Sequence, residues 1–257
     1  MSVEKSSDRD AASAVTRGLE LIEAIAGAGR ALTVAELCGI LDLPKPTVHR
    51  LCQRLVGSGY LVREPGDRHY AIGPRLLRIG LEVMRGGAGP ERRAILKSVV
   101  DHIGETCNFT ALAGHEVIYL DRVEARWPLR LHLEPGSRVP LHCTASGKLL
   151  LACMAEARRA TLLAAIDFSP FTPQTITDAK AFAAELATIR QQDYSLDREE
   201  FLLGLVAIAV PVRDRHGVAL AALACHAPSA RLSLERAVSY LPVMQKAAAR
   251  LGRTFPD

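Results

Sequence analysis

The sequence predicts an α+β chain of two domains: a small helical one that ends in a β-hairpin, and a larger one of helices around an antiparallel sheet. Three observations predict it. Between Thr33 and Gly57 apolar residues recur twice at helical spacing, on either side of a proline-bearing break. A short hairpin pattern follows immediately. From Asn108 onward the apolar period falls to two, and strand-like and helix-like stretches then alternate to the end.

In the first repeat Val34, Leu37, Cys38 and Leu41 fall at i, i+3, i+4 and i+7; in the second Val48, Leu51, Cys52 and Leu55 do the same. Thr33 with Glu36 three residues on is a capping-box signature, and Pro44-Lys45-Pro46 closes the turn with preset φ angles. Because its apolar stripe is committed inward, the second helix turns Lys45, Thr47, His49, Arg50, Gln53 and Arg54 outward. Such a face alone is ordinarily a solvated one. Here Gly57-Ser58-Gly59 ends the helix, and Tyr60–Glu64 and Arg68–Ile72 read as strands around Pro65-Gly66-Asp67. Helix, turn, helix and wing make a winged helix-turn-helix over residues 1–72, with the second helix as the DNA-reading element. Thr33, Lys45, Pro46, Thr47, His49, Arg50, Gln53 and Arg54 are the expected DNA-binding set, joined by Arg68 and His69 near the wing tip, which would reach a phosphate or the minor groove.

Charge distribution supports double-stranded DNA as a partner better than net charge does. The chain's +4 is mild, but residues 1–42 set four cations against seven carboxylates, whereas 43–72 set five cations (Lys45, Arg50, Arg54, Arg63, Arg68) against only Glu64 and Asp67. A length of 257 residues with 49% hydrophobic content is enough for two cores. The six cysteines form no C-x-x-C pair and Cys38 and Cys52 sit on apolar stripes, as expected of reduced core thiols in a cytoplasmic protein. No signal peptide or membrane span is expected, since no apolar run approaches the roughly 20 residues a bilayer requires.

Residues 73–90 read as a linker helix, with Leu76, Leu77, Ile79, Gly80 and Val83 in helical pattern before Gly86-Gly87-Ala88-Gly89-Pro90 breaks it. Its apolar surface invites packing against a second subunit. Residues 91–257 form the second domain, beginning with an amphipathic helix from Arg92 to Thr106. Strands are expected at 108–113, 117–123 and 129–133, helices at about 145–154, 156–165 and 178–191, strands at 204–213 and 218–226, and a last helix at about 233–252.

The chain resembles the isocitrate lyase regulator (IclR) family of bacterial transcription factors over nearly its whole length. The likeness rests on Val15-Thr16-Arg17-Gly18-Leu19, on Leu43 to Leu51 (LPKPTVHRL), and on Tyr70-Ala71-Ile72-Gly73. In the second half it rests on Pro140 to Lys148 (PLHCTASGK), on Tyr194-Ser195 with Arg198-Glu199-Glu200, and on Gly204 to Val212 (GLVAIAVPV). Pro46 departs from the family, which more often has a small hydroxyl residue there, so one phosphate hydrogen bond is expected to be missing. The resemblance implies a sensing domain similar to GAF and PAS sensors, a homodimer or dimer of dimers, and a small organic acid, aliphatic or aromatic, as effector. It places the effector pocket at Leu131, Val139, Ala145, Asp197, Ala207, Ala224 and His226, with Cys143, Thr144 and Cys225 adjacent. The N–H groups of Ala145, Ser146 and Gly147 at a helix start would cradle a carboxylate. Relatives that bind very small acids tend to carry hydroxyls at the positions of Ala224 and His226, so the imidazole changes both size and donor set.

No catalytic residue, cofactor or metal is expected. Gly147-Lys148 lacks the upstream glycine of a P-loop, since position 142 is His, and Ser146 is not in a G-x-S-x-G elbow. The alternative reading is a metal-dependent enzyme or metal/thiol sensor built on His132, His142, Cys143, Asp197, Cys225 and His226. Those side chains suit zinc, but none has short ligand spacing, and His-Cys neighbours on a strand point to opposite faces.

Overall fold

The computed structural model describes residues 4–28, 30–64, 68–86, 89–127 and 133–255. The chain falls into two compact units, residues 1–83 and 84–257. The first holds α1 (Glu4–Ala28), β1 (Leu32–Thr33), α2 (Val34–Leu41), α3 (Lys45–Gly57), β2 (Leu61–Arg63), β3 (His69–Ile72) and most of α4 (Pro74–Gly86). The two apolar stripes meet as expected: Leu37 of α2 and Val48, Leu51 and Cys52 of α3 share a core with Leu21 and Ile25 of α1 and with Leu61 and Tyr70 of the wing. Burying each such aliphatic side chain contributes roughly 1.5–3 kcal/mol.

The capping box at Thr33 forms in full, with Thr33 Oγ1 accepting from Glu36 N at 3.2 Å and Thr33 N donating to Glu36 Oε2 at 2.8 Å. Arg30 donates to the same carboxylate at 2.6 Å, and these bonds, the Arg30 one first, hold Glu36 down at about 2. Asp42 ends α2 in the left-handed conformation (φ 50°), a role its short polar side chain tolerates, and Pro44 stands at the N-cap of α3. One strand went unanticipated: Leu32–Thr33 pairs with β3, so the wing is a three-stranded sheet in the order β1-β3-β2. Helix α1 also begins at Glu4, well before the Val15 block. The expected Pro65-Gly66-Asp67 turn lies outside the described residues.

The base of the wing is a close approach of backbones. Gly73 N donates to Tyr60 O at 2.7 Å, and a Cβ on Gly73 would stand 2.5 Å from Gly59 O, so only glycine fits. Arg75, in the first turn of α4, lays its guanidinium over the Tyr60 ring at 4.6 Å and donates to Ser58 O at 3.1 Å.

The second unit continues with α5 (Gly89–Ile103), β4 (Thr106–Ala113), β5 (Glu116–Val123), β6 (Arg138–Pro140), α6 (Ala145–Cys153), α7 (Glu156–Ala165), α8 (Ala179–Gln192), β7 (Ser195–Arg198), β8 (Leu205–Arg213), β9 (Ala219–Pro228), α9 (Leu234–Ser239) and α10 (Leu241–Gly252). Six strands pair antiparallel throughout in the order β6-β5-β4-β9-β8-β7. One face packs on α5 and α10 through Phe109, Ile208, Val210, Leu223 and Cys225, against Ile95, Val99, Met244 and Leu251. The other packs on α6 and α8 through Val117, Val139, Ala207, Ala209, Ala222 and Ala224, against Leu149, Phe182 and Leu186.

Four expectations shift here. The first helix begins at Gly89 rather than Arg92, because Pro90 starts a helix more readily than it breaks one, and it ends at Ile103, before Gly104 at φ +77°. Strands β6 and β7, of three and four residues, were too short to show a period. The last helix is two, divided at Tyr240 just before Pro242. The strand expected at 129–133 lies outside the described residues but for Leu133, which is in no strand.

Candidate functional site

Helix α3 presents one polar face. Lys45, Pro46, His49, Arg50, Gln53 and Arg54 are exposed and Thr47 is half-buried, opposite the buried Val48, Leu51 and Cys52. Lys45, Arg50 and Arg54 make no ion pair among the described residues, so their charge is directed outward. Arg68 is exposed and His69 half-buried on the wing. Thr33 differs from the rest of the set, because its hydroxyl accepts from Glu36 N and donates to Glu36 Oε2 at 2.8 Å. Its side chain could meet DNA only by leaving that box.

The second candidate site lies on the α6 face of the large sheet. Register puts Asp197, Ala207 and His226 in one row across β7, β8 and β9, and Ser195, Ala209, Ala224 and Asn108 in the next. Alanines therefore form a floor between an acid at one edge and an imidazole two strands away, about 10 Å apart at roughly 4.8 Å per strand. Cys143, Thr144, Ala145, Ser146 and Gly147 are also buried, at the entry to α6, while Val139 belongs to the same cluster from the opposite edge strand, β6.

The polar members of this face are bonded in three groups. Asn108 Nδ2 meets His226 Nδ1 at 2.8 Å, Arg122 donates to Asn108 Oδ1 at 3.3 Å, and Thr110 donates to Ser146 Oγ at 3.0 Å. Lys148, fully buried, donates to Glu185 at 2.9 Å and to Glu200 Oε1 at 2.5 Å, and Glu200 N donates to Asp197 Oδ1 at 2.7 Å. Burial, reinforced by the neighbouring Glu200, raises Asp197 to about 7 against the pull of its backbone hydrogen bonds and Lys148. Burial, then the positive charges of Arg122 and Arg231, lowers His226 to about 3. The Cys143 thiol rises to about 12 through burial and the Asp197 and Glu200 charges, which leaves it inert.

Three expectations need correction. Cys225 does not join this face: alternation along β9 turns it to the α5 and α10 side, opposite Cys107, where their thiol contact and burial raise it well above its ordinary value. Thr144 caps α6, donating to Pro140 O at 2.7 Å and accepting from Gly147 N at 3.2 Å, so neither its hydroxyl proton nor the Gly147 N–H is left to donate to a carboxylate. Gly147 is there for packing, since a Cβ would stand 2.2 Å from Leu141 O. The N–H groups of Ala145 and Ser146 remain, without intrahelical partners by helix geometry. Leu131 lies outside the described residues.

Asn108, Thr110 and Arg122 were missed, because on strands they read as ordinary alternation and only the β4-β9 pairing brings them to His226. The metal reading does not assemble: His142 bonds Ser169 O at 3.0 Å among Phe168 and Phe171, Cys225 faces away, and His132 is outside the described residues. Among the described residues no three His, Cys, Asp or Glu side chains converge as a metal site, and no helix is long and apolar enough to cross a membrane. A cleft of about 990 Å³ opens elsewhere on this unit, lined by Arg213, His216, Leu220, Gln245 and Arg253 among others.

A winged helix-turn-helix with an outward cationic helix, followed by a sheet domain with a buried polar cluster on one face, is the build of a DNA-binding regulator with an effector domain. Comparison with known proteins agrees. Residues 14–65 match the IclR helix-turn-helix domain and residues 90–253 the bacterial transcriptional regulator IclR C-terminal domain, and the chain belongs to the IclR family of transcriptional regulators. It is a regulator and not an enzyme. It is 43% identical over 243 residues to the probable transcriptional regulator SauR of Cupriavidus necator, covering 94% of this chain and 96% of that one. The IclR crystal structure from Thermotoga maritima matches with a TM-score of 0.63 at 25% identity, over 93% of this chain and 97% of that one. The inducer-binding domain of a PobR double mutant from Acinetobacter, solved with 3-hydroxybenzoic acid, matches with a TM-score of 0.57 at 31% identity, over 62% of this chain and 94% of that one.

Proposed function

We propose that the chain controls a catabolic operon in the cytoplasm and senses a small organic carboxylate, aliphatic or aromatic. The observation that carries this is the buried His226 Nε2, which has no hydrogen-bond partner among the described residues, beside an alanine floor and the start of α6. There the ligand's anion meets the Ala145 and Ser146 N–H groups and His226, Val139 and Ala207 enclose its carbon skeleton, and Asp197 accepts a hydroxyl. The 3-hydroxybenzoic acid in the PobR relative is an acid of this class.

Lys45, Thr47, His49, Arg50, Gln53 and Arg54 read the operator and contact its phosphates, with Arg68 and His69 added from the wing. One such helix reads only a few base pairs, so the chain acts as a homodimer or dimer of dimers on pseudo-palindromic half-sites. The apolar residues of α4 supply the contact, and Leu77 and Ile79 are exposed there. Light scattering at micromolar concentration should give a dimeric or larger mass; a monomeric mass rules this out.

The ligand changes DNA affinity by preferring one arrangement of the reading heads, with a coupling of roughly 1–3 kcal/mol. The test is calorimetry with candidate acids on wild type and on His226→Leu, followed by operator binding with and without the acid. Lost binding in the variant with thermal stability retained is the expected result. An acid bound equally by both proteins places the effector site elsewhere.

A further inference from the structure

The buried polar chain that ends at His226 fixes more than its position. Arg122, on β5, donates its Nη1 to Asn108 Oδ1 at 3.3 Å. A guanidinium has donors only, so the Asn108 amide is oriented with its oxygen toward Arg122 and its NH₂ toward His226. That NH₂ can only donate, and it lies 2.8 Å from His226 Nδ1. Nδ1 must therefore accept, and carries no proton. Burial and the nearby Arg122 and Arg231 keep the ring neutral, lowering it to about 3. A neutral imidazole with a bare Nδ1 holds its single proton on Nε2. That nitrogen is buried and has no hydrogen-bond partner among the described residues, and the ring lies in the row of Asp197 and Ala207.

We propose that Arg122 and Asn108 are positioning residues that hold His226 as a neutral Nε2–H donor, so that the site selects ligands presenting an oxyanion or carbonyl oxygen at that point and rejects those presenting an amine. This rests on the reading of the α6 face as the effector site. The selection follows from the cost of burying a donor: an oxygen satisfies the waiting N–H, whereas an ammonium brings a second donor against it and leaves both unmet. A serine or threonine at the same place could rotate to donate or accept; the locked imidazole cannot.

The test uses the full chain labelled with ¹⁵N-histidine, read by long-range ¹H–¹⁵N correlation, with His226 assigned by the loss of its signals in His226→Gln. The ligand-free wild type should show a bare Nδ1 and a protonated Nε2. Asn108→Asp keeps a partner for Arg122 but sets an acceptor opposite Nδ1, and should put a proton there. A protonated Nδ1 in the wild type at neutral pH overturns the relay, as does a bare Nδ1 in Asn108→Asp; if that variant fails to fold, the wild-type spectrum decides alone.

The second arm titrates the wild type with glycolate, pyruvate, 3-hydroxybenzoate and, as the opposite chemistry, benzylamine. At least one acid should move the Nε2 signal while benzylamine does not, and Asn108→Asp should weaken that acid by about ten- to a hundredfold. A response to benzylamine equal to that of the acids overturns the selectivity. Silence of Nε2 to all three acids, with Nδ1 still bare, overturns the effector-site reading and the selection role together but leaves the relay standing.

Discussion

Helix α3 and the α6 face of the large sheet both gather polar side chains, with opposite relations to the fold. On α3 the stripe Val48, Leu51 and Cys52 holds the helix in place, and Lys45, Arg50 and Arg54 point away from everything the helix needs. In the large domain Lys148, Glu200, Asp197, Asn108 and His226 are buried inside the layer they would serve. Groups of the first kind can be changed without disturbing the fold, whereas those of the second kind are part of what holds it together.

The sharpest way to break this contrast is Lys148→Met. It removes the cation from a buried Glu200 and from Glu185, and an abandoned buried charge typically costs 3–5 kcal/mol. The variant should lose about that much in chemical denaturation, and an unchanged midpoint would mean the inner polar cluster carries no load. Lys45→Ala with Arg50→Ala is the outer counterpart. Operator affinity should fall by roughly 1–3 kcal/mol for Arg50 alone if it pairs with guanine, with thermal stability unchanged. Mobility shifts equal to wild type at physiological salt would remove α3 as the reading helix. Thr33→Ala is smaller still: loss of a cap should lower the small domain's stability by about 1 kcal/mol. A much larger loss of operator affinity would show that Thr33 meets DNA after all.

The smallest wild-type effect is a cancellation. Asp197 rises from 3.8 to about 7, so its contribution is fully present below pH 3.8 and is lost as pH rises through 7. His226 falls from 6.5 to about 3, so its contribution is present above pH 6.5 and is lost as pH drops toward 3. Between about pH 4 and 6.5 the folded chain holds one extra proton on Asp197 and the unfolded chain one on His226, so these two groups add almost no slope. Thermal scans of Asp197→Asn and His226→Gln should expose the two slopes separately. Stability should rise with pH over that window in Asp197→Asn and fall in His226→Gln; parallel curves would contradict both shifts.

The same contrast explains what the sequence could reveal. The helical period, the capping box and the proline break fixed α2, α3 and the wing within a few residues, because each signal is local. The strands β4, β5, β8 and β9 were legible from alternation, but the partners of His226 were not, since Asn108 is 118 residues away and joins it only through the β4-β9 pairing. Cys225 was misplaced for a related reason. Its neighbours Ala224 and His226 point one way along the strand and it points the other, which a position-by-position likeness does not register.

The glycine contact at the wing base has a mechanical consequence. Gly73 is pressed to the Tyr60 backbone, and Arg75 clamps the same tyrosine from the first turn of α4. Tyr60 follows α3 by only three residues, so the start of α4 and the end of α3 are seated on one another. Residues 58–60 and 73–75 thus tie the first turn of α4 to the end of α3, as a short lever arm is keyed to its shaft.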